Sequence, residues 1–308
     1  MASQTKVREM IAKNNAKKGG LSDKIVPIIL AIISAISILT TIAILFTLLT
    51  ETITFFTRVP LSKFFLSGTW NPTGSSPEFG IWALIIGTLK ITVIATIVAV
   101  PIGLGAAIYL NEYASDRSRR IIKPILEILA GIPTIVFGFF ALTFVTPILR
   151  NLIPNLGEFN SISPGIVVGI MIVPMITSMS EDAMSSVPDK IREGAFGLGA
   201  TKFEVATKVV LPAATSGVVA SIVLGISRAI GETMIVSLAA GSSPTSSLSL
   251  TSSIQTMTGY IVEIATGDAA FGSGIYYSIY AVGFTLFIFT LIMNLLSQWI
   301  SKRFREEY

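Results

Sequence analysis

The chain has 308 residues, of which 52% are hydrophobic and only 13% charged, where a soluble domain carries about 25% charge. So few charges cannot cover a surface in water, and the long charge-free stretches mark a chain that crosses a membrane several times. Cysteine and histidine are both absent, which excludes disulfide frameworks, thiolate or imidazole metal sites, cysteine nucleophiles and histidine bases.

In chain order, residues 1–24 form a basic tail. Ile25 to Leu49 is free of charge and, at about 1.5 Å per residue, exceeds a hydrocarbon core of about 30 Å. The run ends in Leu48, Leu49, Thr50, Glu51, without the small-residue cleavage site of a signal peptide, so residues 25–50 read as a retained anchor helix. Residues 51–79 make a long loop with a turn-rich patch from Asn71 to Pro77. Residues 80–300 then form a core of five helices: Ile81 to Leu110 with Lys90 inside it, Ile125 to Leu149 with Glu127 near one end, Gly165 to about Ser180 interrupted by Pro174, Ala213 to Gly241 carrying Arg228 and Glu232, and Ile275 to Ile300. A Ser/Thr-rich stretch from Ser242 to Gly274 reads as a second long loop, and residues 301–308 as a short tail. No internal repeat is visible, which counts against a single-chain secondary transporter.

Cations fix the orientation. Seventeen Lys and Arg fall on one side (six in the first tail, Arg117, Arg119, Arg120 and Lys123, Lys190, Arg192, Lys202 and Lys208, and three at the end), against Arg58, Lys63 and Arg150 on the other. Both termini are therefore expected in the cytoplasm. The same bias explains the basic pI without nucleic acid, since the tail has neither interleaved aromatics nor a binding motif.

The segment 188–212 has a helical period. Val187, Ile191, Ala195 and Leu198 form one apolar stripe, Gly199 stands where a left-handed residue would end the helix, and Thr201 with Glu204 reads as a capping box opening a second helix. Periodicity alone is satisfied by an amphipathic helix resting on the lipid interface or covering the bundle. The run Glu193, Gly194, Ala195, then Gly199, Val209, Leu211 and Pro212, resembles the EAA loop of ABC importer permeases at its family spacing, with Gly194 as the one departure. Trp70-Asn71-Pro72, Gly87-Thr88-Leu89, Val100-Pro101-Ile102-Gly103, Ala130-Gly131-Ile132-Pro133 and Arg228-Ala229-Ile230-Gly231-Glu232-Thr233-Met234 recur in the same order in phosphate-specific permeases of the PstC type, which the chain resembles from about Lys63 onward.

That resemblance implies a type I ABC importer permease of MetI-like architecture: an all-α integral membrane protein with six transmembrane helices and a cytoplasmic coupling helix. It implies a second permease chain of the PstA type, an ATPase dimer of the PstB type and an external phosphate-binding protein of the PstS type. It places Glu193 at the ATPase contact and makes Gly199 the turn. No Gly-x-x-x-x-Gly-Lys-Ser/Thr run exists, so ATP and Mg would be used by the partner ATPase, and this chain is expected to bind no cofactor or metal and to be no enzyme.

Arg228 lies 16 residues from Pro212 and 13 from Gly241, about 24 and 20 Å, near mid-depth. A cation there costs roughly 2.5 to 3.5 kcal/mol on insertion scales and wants a partner. Glu232, four residues on, is expected on the same helical face. Two readings stand: a structural ion pair, or a way-station where guanidinium donors meet phosphate oxygens and Glu232 eases release. Lys90, about 15 Å inside Gly80, is a second cation for which path and structural roles both stand. Glu127, Glu181 and Asp182 read as interface or inter-helix pairs. Pro101, Pro133 and Pro174, with Gly103, Gly105, Gly131 and Gly138, read either as close packing or as hinges. The function expected is import of inorganic phosphate across the plasma membrane; alternatives are another oxyanion such as molybdate or sulfate, and a self-sufficient transporter or channel.

Overall fold

The computed structural model describes residues Leu21–Arg303; residues 1–20 and 304–308, which hold Lys6, Arg8, Lys13, Lys17, Lys18 and Arg305, lie outside the described residues. The chain divides into two compact units, Met1–Glu51 and Thr52–Tyr308. Helix α1, Leu21–Arg58, begins in the first. Its isoleucines and leucines are exposed on all sides, and the hydroxyls of Thr40, Thr41 and Thr47 donate back to the carbonyls of Ile36, Ser37 and Ala43. The helix thereby presents hydrocarbon with these three hydroxyls satisfied by its own backbone, as lipid requires. It runs eight residues beyond the expected anchor, so the first loop starts at Val59.

In the second unit a short helix α2, Leu61–Leu66, and a two-residue antiparallel pair, β1 Trp70–Asn71 with β2 Glu78–Phe79, close one end of the bundle. Phe55, Phe64, Trp70, Phe79 and Tyr260 pack there edge to face, Trp70 on Tyr260 at 4.8 Å between centroids. Helix α3, Trp82–Ile108, continues through a π turn at Tyr109–Tyr113. It packs on α7, Ile162–Ser185, through small residues: a Cβ on Gly165 would fall 2.7 Å from Ile94, and one on Gly169 2.8 Å from Val98. The apolar run of α7 is short because its neighbours are protein rather than lipid. Buried Ser180 and Ser221 hydroxyls meet at 2.6 Å, and Thr177 donates to the Gly103 carbonyl.

Three expected elements differ. The span read as Ile125 to Leu149 is two helices, α4 Asp116–Gly131 and then α5 Thr134–Phe140, a π turn Ala141–Val145, and α6 Thr146–Leu152. Pro133 forces Ile132 into an extended conformation (ψ 128°) and ends α4. The stretch long and apolar enough to cross is Thr134–Leu152. The span read as Ala213 to Gly241 breaks as well, into α11 Thr215–Ile230 and α12 Met234–Ala239. The Ser242 to Gly274 loop is no simple connection. It folds back so that Ile254 donates to the Ala240 carbonyl, then forms a buried turn and helix, α13 Met257–Thr266, before α14 Gly274–Arg303.

Between α7 and α11 lie α8, Asp189–Gly197, α9, Lys202–Glu204, a π turn Val205–Val210 and α10, Leu211–Ala213. The Lys202–Ala213 stretch meets α11 at 75°. Among the described residues five helices are long and apolar enough to cross a membrane, six if that bent pair counts as one span. The protein is a multi-pass, mostly helical membrane protein. Its core is layered: the aromatic end, a middle layer around Ile91, Phe137, Ile172, Ile176 and Ile235, and an opposite end where Ala107, Met184, Val187, Val205, Val210 and Val218 seat the 188–212 segment.

Candidate functional site

The 188–212 segment is built by local chemistry. Pro188 fixes the entry to α8, and Gly199 adopts φ +86°, with Gly199 N–H donating to the Phe196 carbonyl at 2.9 Å and Ala200 N–H to the Ala195 carbonyl at 3.1 Å. That is the doubled bond pattern of a Schellman cap, which a glycine enters without strain. Thr201 accepts from the Glu204 N–H while the Glu204 carboxylate accepts from the Thr201 N–H, so the expected capping box is present. The Thr201 N–H, then the Lys208 ammonium, hold the Glu204 carboxyl down at about 2.

Arg192 locks the segment to the bundle. It donates to the carbonyls of Met184 (2.7 Å) and Val187 (2.6 Å), and its guanidinium meets Glu112 in the π turn at 3.3 Å and Asp189 at 2.9 Å. Lys202 lies 5.2 Å over the Tyr113 ring. Val187, Ile191 and Ala195 do face the bundle, but Leu198 does not: α8 ends at Gly197 and Leu198 is 92% exposed. With half-exposed Phe196 and exposed Phe203 it forms an apolar outer rim beside Glu193, whose carboxylate projects into solvent. Gly194 is open as well, with nothing within 4 Å of a Cβ placed there. Leu211 and Pro212 open α10 at the 75° bend.

The expected pairing of Arg228 with Glu232 does not occur. Helix α11 stops at Ile230, so the four-residue spacing carries no shared face. Glu232 is buried instead, and its Oε1 accepts from the backbone N–H groups of Met234 (3.0 Å) and Ile235 (3.2 Å), capping α12. Its carbonyl accepts from Thr258 at 2.7 Å, and Thr88 accepts from Met257 N–H at 3.1 Å, so the returning segment is stitched across the break. Arg228 is exposed and lines a cavity of about 260 Å³. Among the described residues it has neither an ion pair nor a hydrogen bond. Lys90 is buried, with its ammonium donating to the carbonyls of Ser247 and, at 2.8 Å, Ser249. It therefore ties down the long second loop. Of the acidic groups read as inter-helix pairs, Glu181 does pair with Lys123, at 2.7 Å.

Residues 99–306 match the family described as the binding-protein-dependent transport system inner membrane component. The chain belongs to this family. Its relatives include the probable ABC transporter permease protein YqgH of Bacillus subtilis, 34% identical over 245 residues and 78% of each chain. The phosphate transport system permease protein PstC of Mesorhizobium japonicum is 32% identical over 260 residues, again 78% of each. The PstC of Haemophilus influenzae is 32% identical over 264 residues, 79% of this chain and 82% of that one. Among solved structures, a bacterial alginate ABC transporter aligns over 93% of this chain and 98% of its own with a TM-score of 0.63 at 16% identity. The inward-facing MetNI methionine transporter aligns over 73% and 98% with a TM-score of 0.56 at 17% identity. These likenesses are of fold, that of the type I importer permeases.

Two features of this permease escaped its sequence: Glu232 as a cap, and the returning segment around Thr256–Tyr260. The second had a signal. Met257, Tyr260, Ile261 and Ile264 recur at helical spacing behind Thr256, an N-cap residue whose hydroxyl accepts from Gly259 N–H.

Proposed function

We propose that this permease is one half of the membrane pore of an ATP-driven importer of inorganic phosphate in the plasma membrane, with both termini cytoplasmic. The observation that carries the reading is identity of about a third, along more than three quarters of the chain, with permeases named for phosphate transport. With no Walker loop in this sequence, ATP hydrolysis falls to a partner, and the likeness to PstC permeases supports a PstB-type dimer for that role, a PstA-type chain as the second half of the pore and a PstS-type binding protein for capture of the anion. The seventeen-to-three cation bias supports the orientation.

In this reading Glu193, with the rim of Phe196, Leu198 and Phe203, meets the ATPase. Gly194 and Ala195 continue that helix, and Gly199, Leu211 and Pro212 set the angles through which the motion reaches α11. Arg192 makes the helix move with the bundle. Arg228 supplies positive charge where an anion must leave water, and does so without a tight trap because selection belongs to the external protein. Radiolabelled phosphate uptake in cells lacking other phosphate transporters tests the assignment. The complete system should restore uptake, which Glu193→Lys should abolish together with ATPase capture in a pull-down. Single cysteines at Ser75 and Lys190 in this cysteine-free chain should react with an impermeant reagent from outside and not from outside, respectively. Uptake of molybdate or sulfate in place of phosphate would move the assignment to another oxyanion.

A further inference from the structure

The carboxylate that shares a cavity with Arg228 is Glu127. The cavity opens among α4, α7 and α11, and Glu127, Ala130, Met171, Pro174, Ser178 and Arg228 line it. At about 260 Å³ it is equivalent to a sphere about 8 Å across, wide enough for one small tetrahedral anion. Both charged side chains are exposed, and among the described residues neither makes an ion pair or hydrogen bond. The neighbouring carboxylates are committed elsewhere: Glu181 to Lys123 on α4, one turn before Glu127, and Glu232 to the α12 N–H groups. Most of the remaining wall is methionine and proline, with weakly polar thioethers that offer no rival charge.

We propose that Glu127 is the resident counter-charge of Arg228, and that a tetrahedral oxyanion entering the cavity takes its place against the guanidinium. The proposal rests on the phosphate reading above for the identity of the anion, but not for the pairing. Opposite charges across a cleft of this width attract without touching, so the carboxylate lowers the standing positive potential and leaves the five N–H donors of Arg228 unspent. An arriving anion then exchanges one negative partner for another, and its departure is assisted by the return of Glu127. A bare arginine at this depth would hold the anion and slow its release. Helix α4 buries no side chain of its own and ends at the Ile132–Pro133 break, so Glu127 sits on an element with little packing to resist its displacement.

Ala130→Cys in the assembled transporter, with cysteine-free partner chains, places a reporter in the same cavity. Its relative rate of reaction with anionic and cationic methanethiosulfonates reads the local charge. Glu127→Gln should raise the anionic preference by roughly threefold to tenfold, Arg228→Gln should lower it by a similar factor, and the double variant should return close to the starting ratio. No change in the ratio with either single variant would overturn the pairing. Phosphate should protect the cysteine saturably in the parent. Charge effects as expected, with protection by molybdate or sulfate alone, would support the counter-charge and remove phosphate as its occupant. In transport, Glu127→Gln should lower KM and maximal rate together, several-fold each, while Glu127→Asp restores both. A loss of assembled complex with KM unchanged would make Glu127 a structural residue and overturn the proposal.

Discussion

Residues 188–212 and residues 228–260 each join two helices, and they are built by opposite means. The first is closed by its own neighbours in sequence: a Schellman cap at Gly199, a capping box from Thr201 to Glu204, and a proline at each end. Apart from the local cap of Glu232 on Met234 and Ile235, the second is closed by partners far away. Glu232 is met by Thr258, Met257 by Thr88, and the loop beyond α12 by Lys90. The docking proposed for the first segment requires it to keep its shape while its outer face stays bare, and local bonds provide that. A break inside a membrane has no water to satisfy its N–H and C=O groups, so the rest of the bundle must bring them partners.

Two glycines put the contrast to its largest test. Gly87 has ordinary backbone angles, but a Cβ there would stand 2.1 Å from the Gln255 carbonyl oxygen, which belongs to the returning segment. Gly199 has φ +86° and nothing within 4 Å of its Cβ position. One position lacks room and the other lacks conformational freedom. Asparagine, which tolerates left-handed angles, should therefore separate them. Gly87→Asn should cost about 3 kcal/mol or more, since backbone rather than a flexible side chain must move. Gly199→Asn should cost less than about 1 kcal/mol, and Gly199→Val about 2 kcal/mol. Thermal unfolding of the assembled complex in detergent measures all three. Equal losses at the two asparagine variants would erase the distinction.

The difference also explains what could be read from the amino acids. The caps of the 188–212 segment involve residues within five positions of one another, so residue type and spacing are enough to anticipate the turn glycine and the capping box, but not the reach of Arg192 to Glu112. Leu198 was misplaced only because the helix stops one residue before it. In the break, the same spacing logic failed. The four residues from Arg228 to Glu232 mean a shared face only if the helix continues, and nothing local to Gly231 says that it ends. The burial of Glu232 depends on α12 presenting two N–H groups and on a threonine 26 residues away. Pro133 lies between these cases: it announced a break, but not that α4 would bury none of its side chains.

Glu232 gives a test of intermediate size. As a cap it needs an acceptor oxygen, which glutamine retains; as a counter-ion it needs charge, which glutamine lacks. Glu232→Gln should keep the thermal stability of the complex within about 0.5 kcal/mol, while Glu232→Leu should lower it by about 1 to 3 kcal/mol by leaving the buried Ile235 N–H and the partly buried Met234 N–H unpaired. If glutamine destabilised as much as leucine, the charge rather than the cap would be at work, and the comparison between the two regions would lose its clearest member.

The smallest effect is expected at Gly194, where this chain departs from the Glu-Ala-Ala pattern. It sits in the middle of α8, exposed, with open space around its Cβ position. Glycine in a helix interior is worse than alanine by about 0.5 to 1 kcal/mol, because the unfolded backbone has more freedom to lose. Gly194→Ala should therefore stabilise α8 by that amount, with no clash to offset it within this chain. Whether the gain is visible depends on what α8 does at its outer face. If the rim of Phe196, Leu198 and Phe203 and the carboxylate of Glu193 make the contact with the ATPase, alanine at 194 should leave pull-down and phosphate-dependent ATP hydrolysis unchanged while unfolding shifts upward by a degree or two, the scale set by a fraction of a kcal/mol in a domain of this size. If the partner's cleft requires a bare backbone at 194, the same substitution should stabilise this chain and weaken the complex, and the departure from the family pattern would then be matched by a larger residue on the partner.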